Sequence, residues 1–67
     1  MNSLDKLISV LETEEGFDLP INRVNGLKNS SQSFGCLHWL LRNFSIRNSN
    51  HPKHDEVLSL IKQCIIK

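Results

Sequence analysis

Six side chains carry metal-binding or nucleophilic chemistry: Cys36, His38, His51, His54, Asp55 and Cys64. Cys36-Leu37-His38 followed by His51-Pro52-Lys53-His54 supplies a C-x-H and an H-x-x-H, four ligands of the types zinc prefers. On a helix, residues two apart point about 200° from each other, so Cys36 and His38 converge on one ion only where the helix breaks. The pattern therefore reads as His38 and His54 at the edge of a core and His51 in a loop, with no metal and no other cofactor. A nucleophile is the other option, Cys36 or Cys64 activated by His38 or His54 and oriented by Asp55. That chemistry needs a desolvated cleft, typically about 300–1,000 Å³, which three short helices rarely leave. Cys64 is read as a small apolar core residue, no catalytic residue is assigned, and differently directed faces argue against a Cys36–Cys64 disulfide.

Very little chain is available to position these groups. Sixty-seven residues, 39% apolar and 22% charged, make one domain with enough hydrophobicity to exclude a disordered tail. A core of this size yields about 3–5 kcal/mol, so a partner, a metal or self-association is expected to share in holding the fold. No apolar run approaches the about 18–20 residues of a membrane span, and no basic-then-apolar leader is present. The expectation is a cytoplasmic protein with reduced cysteines and neither a membrane nor a small-molecule substrate among its partners.

Leu4, Leu7, Ile8 and Leu11 recur at helical spacing behind Asn2 or Ser3 as N-cap. They predict a helix over 3–15, ended by Gly16 in a left-handed cap with Phe17 folding back onto Leu11. The segment 16–33 is too long to lack structure in so small a domain. Asp18 as N-cap, Pro20 in the first turn, Ile21 and Val24 on one face and Gly26 as terminator give a short helix, although Asn25-Gly26 also suits a type I′ hairpin. The helix is preferred, because Ile21 and Val24 do not share the parity a strand needs. A capping box from Asn29 to Gln32 opens a helix over 31–46, with Phe34, Leu37, Leu41 and Phe44 on one face, His38 beside them and Leu40 extending it. Cys36, Trp39 and Ile46 point to the opposite side. Pro52 starts a further helix over 52–66, whose stripe is Val57, Leu58, Leu60, Ile61, Cys64 and Ile65. Asp55 and Glu56 suit its N-terminus, and Lys62 and Lys67 its C-terminal end. The predicted fold is all-α, a small three-helix bundle over residues 1–67 with a short fourth helix, or a hairpin, at 18–28.

The net charge of +1 conceals an uneven distribution. Asp5, Glu12, Glu14, Glu15 and Asp18 face a single base, Lys6, in residues 1–20, while 21–54 carry Arg23, Lys28, Arg42, Arg47 and Lys53 with no acid. Glu12, Glu14 and Glu15 crowd a helix end that the macrodipole already makes negative, which invites a basic partner or the chain's own basic middle. Trp39 is the sole tryptophan, a residue type that with arginine dominates binding hot spots. With Arg42, Asn43, Ile46 and Arg47 it forms the expected contact for another protein or a second copy, and Glu12, Glu14 and Glu15 form a second charged surface. The expected function is a non-enzymatic inhibitor, adaptor or regulator docking on a larger macromolecule. The alternative is nucleic-acid binding: helix, short helix, turn, then a helix opening with Ser31-Gln32-Ser33 resembles the helix-turn-helix of small phage-type regulators. That resemblance implies phosphate contacts from Lys28, Arg42 and Arg47 and base contacts from Gln32 and Ser33. Gly35 inside the recognition helix and the length of segment 26–31 depart from the pattern.

Overall fold

Asn2 accepts the backbone N–H of Asp5 on its side chain (2.8 Å) and so opens α1 (Ser3–Thr13). The computed structural model describes residues 2–66, and its other elements are α2 (Ile21–Gly26), α3 (Ser33–Asn48) and α4 (His54–Ile65). Among the described residues there is no strand, so the chain is an all-helical small bundle and segment 18–28 holds a helix instead of a hairpin. α4 packs on both α1 and α3, and α2 lies against α3.

α1 stops at Thr13, short of the predicted end. Glu14 is extended (φ −88°, ψ 142°) and gives its N–H to the Val10 carbonyl (3.0 Å), while Thr13 Oγ1 donates back to the Ser9 carbonyl (2.7 Å). Unwinding here takes Glu14 and Glu15 off the negative end of the helix, which is a physical reason for the early stop. Gly16 does take a left-handed φ of 90°, but it lies beyond the cap, which is Glu14.

The core is Leu7 and Leu11 of α1, Leu27 of the turn after α2, Cys36, Leu37, Leu40 and Phe44 of α3, and Val57, Leu60 and Ile61 of α4. Burying each large apolar side chain contributes about 1.5–3 kcal/mol, so the fold depends on these few contacts. α1 and α4 bury faces that their periodicity names. α3 is rotated from its expected setting: Phe34 is 65% and Leu41 37% exposed, while Cys36, expected on the far side, is buried. α3 is apolar nearly all round, so its own pattern does not choose a face, and α2 chooses it. Gly26 has no Cβ, and one placed there would fall inside the van der Waals envelope of Cys36 Sγ. Close approach of the two helices therefore turns the Cys36 side inward.

The loop between α1 and α2 is fixed by two side chains from the end of α3 and beyond. Asn48, 4% exposed, accepts the Asp18 N–H on Oδ1 (2.7 Å), and its Nδ2 donates to the carbonyls of Asp18 (3.4 Å) and Phe44 (3.1 Å). Asp18, expected as an N-cap, is held here instead, and Pro20 opens α2 by accepting from Arg23 N–H and Val24 N–H. His51 stacks on Phe17 with ring centroids 3.9 Å apart. Its Nδ1 accepts from Lys53 N–H (3.0 Å), which puts the ring proton on Nε2, the donor to the Glu15 carbonyl (2.7 Å). Phe17 is thereby directed onto Phe44 at 5.8 Å. The capping box expected from Asn29 does not form, because its Oδ1 accepts from Ser31 N–H and Oγ while its carbonyl takes the N–H groups of Gln32 and Ser33.

Candidate functional site

The four zinc-type ligands named by spacing are dispersed. Cys36 faces Gly26 in the core. His38 meets Phe34 edge-on at 4.3 Å, with its Nε2 shut from solvent and lacking a hydrogen-bond partner among the described residues. His51 clamps the α1–α2 loop, and His54 stacks on Phe44 at 5.7 Å. Among the described residues no group of three His, Cys, Asp or Glu side chains is placed to hold a metal ion, and no disulfide joins Cys36 to Cys64.

His54 has a neighbour that sequence reasoning passed over. Its Nδ1 lies 2.8 Å from Asp55 Oδ1 and its Nε2 2.9 Å from Ser45 Oγ, a Ser–His–Asp hydrogen-bond order. Nucleophilic catalysis asks in addition for donors aimed at a developing oxyanion. Ser45 sits in the middle of α3, where backbone N–H groups are already committed to the helix, and the Asp55 carboxylate is fully in water. The arrangement ties the first turn of α4 to α3.

Trp39, Arg42, Asn43, Ile46 and Arg47 follow one another at i, i+3, i+4, i+7 and i+8 and so share one side of α3. Ile46 is 78% exposed, Arg42 and Arg47 are exposed, and Trp39 and Asn43 are half-buried. Trp39 packs partly against the core, and its ring carries the guanidinium of Arg23 at 5.1 Å and that of Arg47 at 5.4 Å. Asn43 Nδ2 donates to the Trp39 carbonyl (2.9 Å), and Arg47 also lies 3.7 Å from Asp18. Arg23 belongs to this cluster but was not legible, since it comes from α2 and no local pattern links it to Trp39.

The remaining named residues do not join one surface. Glu12 forms an ion pair with Lys28, so the acidic end of α1 closes on the chain's own basic middle, while Glu14 and Glu15 stay exposed. Of the nucleic-acid set, Lys28 is thus engaged, Ser33 is half-buried, Gln32 is exposed, and Arg42 and Arg47 lie on the Trp39 side. The first turn of α3 offers Phe34 and Gly35 to solvent in place of polar base readers.

An open groove of about 730 Å³ lies where the starts of α1 and α3 meet the end of α4, with Leu4, Phe34, Cys64, Ile65 and Ile66 among its walls. No helix of the described chain is long and apolar enough to cross a membrane. Comparison of the chain with protein families, with curated proteins and with solved structures gave no match.

Proposed function

We propose that this chain is a non-enzymatic cytoplasmic docking module, an inhibitor, adaptor or regulator that binds an acidic, partly apolar surface of another protein through the Trp39 side of α3. The observation that supports this reading is an exposed Ile46 on the same side of α3 as a half-buried Trp39 that carries Arg23 and Arg47 on its ring, with the exposed Arg42 on that side too. Neither α2 nor α3 contains an acid, so this side is basic without internal compensation except from Asp18. Arginines held against an indole keep their N–H edges directed outward, pre-organised for bidentate contact with carboxylates. Tryptophan and arginine at the centre of a patch are the residue types that concentrate binding energy.

Affinity capture from the native host tests this with three baits: the chain itself, Ile46→Glu and Arg42→Glu. Both substitutions are at exposed positions and should leave helicity by circular dichroism unchanged. The expected result is an acidic protein retained by the unmodified chain and reduced at least about tenfold with either variant. Equal retention by all three baits would remove the docking surface from this side. Duplex DNA binding at about 50 mM salt that weakens steeply as salt rises would replace the protein partner with nucleic acid.

A further inference from the structure

We infer that Ser45 is a covalent modification site, a hydroxyl prepared to take an acyl group from an activated ester. Ser45 Oγ lies 2.9 Å from His54 Nε2, and His54 Nδ1 lies 2.8 Å from Asp55 Oδ1. An ionised carboxylate only accepts, so the neutral imidazole gives its Nδ1–H to Asp55 and turns the Nε2 lone pair to Ser45. The Ser45 hydroxyl is therefore the donor, and its proton already rests against a base. The ring is held in place: it lies nearly parallel to the buried Phe44, at an interplanar angle of 15°, and the His54 side chain is only 19% exposed. The hydroxyls of Ser3, Ser31 and Ser59 bond amide groups instead, which take no proton at neutral pH.

Ser45 is half-buried, and Leu41 and Ser49, one turn to either side of it, are exposed, so the hydroxyl is not closed off along the helix. In the transfer, the donor's carbonyl carbon bonds to Ser45 Oγ and its bond to the leaving oxygen breaks. The Ser45 proton passes to His54 Nε2 and from there to the leaving oxygen, with no change of oxidation state. Because the backbone N–H groups around Ser45 are committed to α3, none is free to meet an oxyanion, and only a donor with a good leaving group, such as an aryl ester, reacts. The product is an alkyl ester with a poor leaving group, and the same lack of oxyanion donors slows its hydrolysis. Ser45 thus accepts one acyl group and holds it, a transfer without turnover that is compatible with a non-enzymatic docking module. On a helix six residues turn about 240°, so Ser45 lies off the Trp39 side and the docking reading stands or falls without it.

Incubation of the full chain with p-nitrophenyl acetate, followed by peptide mass mapping, tests this. Ser45 is expected to be acetylated at least about 100-fold faster than Ser3, Ser31 and Ser59, and to stop at one acetyl group on that residue. Ser45→Ala should abolish the labelled peptide, and His54→Gln should slow labelling at least about 100-fold. Asp55→Asn, at a position fully in water, keeps the fold if His54→Gln does not. Its amide can donate to Nδ1 and hold the other tautomer, so labelling of Ser45 should fall at least about tenfold. Nitrogen-15 shifts of the His54 ring should show the proton on Nδ1 in the unmodified chain and a changed balance in Asp55→Asn. Labelling of Ser45 no faster than of the other serines, labelling indifferent to Asp55→Asn, or a ring proton found on Nε2 would each overturn the inference. So would continued release of p-nitrophenolate that Ser45→Ala removes, since that is turnover.

Discussion

Gly26 is the residue on which the setting of α3 turns. It needs no unusual backbone angle, only the absence of a side chain over Cys36 Sγ. Gly26→Ala is expected to cost about 1–3 kcal/mol in urea unfolding, because the buried thiol must move or α2 must lift. Pairing it with Cys36→Ala should recover about 1 kcal/mol relative to the sum of the two single changes. The sequence marks Gly26 as a helix terminator, a role that would call for positive φ, whereas its function is close approach. That difference is not readable from a one-dimensional pattern, since both demands select the same residue type. Asn48 shows the same limit. It sits among polar residues that look like a linker, yet it is the buried side chain that satisfies both backbone groups of Asp18. Arg42, Asn43, Ile46, Arg47 and Trp39 were legible as a group because helical spacing alone places them together.

Between single residues and the assembled bundle, α1 and α4 are readable from periodicity because each has a polar side, so Leu7, Leu11, Val57, Leu60 and Ile61 could face only one way. α3 lacks that contrast, and its inward face is set by neighbours distant in sequence; this is why Phe34 and Leu41 were assigned to the core and Cys36 was not. Helix ends were legible where a side chain caps, as at Asn2, and not where long-range contacts decide. The loop between α1 and α2 is the clearest case, with Asn48 and His51 acting on Asp18 and Glu15 from across the molecule. Asn48→Ala is expected to lower stability by about 1–2 kcal/mol, since the partly buried Asp18 N–H and carbonyl lose their partner. His51→Ala should loosen the same loop, seen as faster amide exchange at Phe17 and Asp18 and earlier proteolytic nicking there, with α3 and α4 still protected. Uniform protection across the loop in both variants would show that neither side chain pins it.

As a whole, the molecule has two unlike exposed sides on its longest helix: Arg42 and Arg47 with Trp39 on one, Phe34 and Leu41 on the other. The uneven charge distribution along the chain is partly closed from within by the Glu12–Lys28 pair, an exposed contact of modest worth. A second copy binding only the folded chain would stabilise it by mass action. The thermal midpoint of a self-associating chain is therefore expected to rise by several degrees between micromolar and millimolar protein. A midpoint that does not depend on concentration in the unmodified chain would mean that the core alone sustains the fold. Fold class was legible because three amphipathic or apolar runs leave little else to build; the exposed side of α3 was not, because it depends on which face is left over after α2 and α4 have packed.

α1 and α4 are partners separated by most of the chain, joined even at the surface by Ser3 Oγ and Gln63 Oε1 at 3.2 Å. At about 5–20 residues per second on the ribosome, α4 is finished roughly 3–10 s after α1. Throughout that interval Leu7 and Leu11 lack the part of the core that α4 supplies, Val57, Leu60 and Ile61. A chain that ends before α4 is therefore expected to leave the leucines of α1 without that cover and to be degraded faster than the full chain.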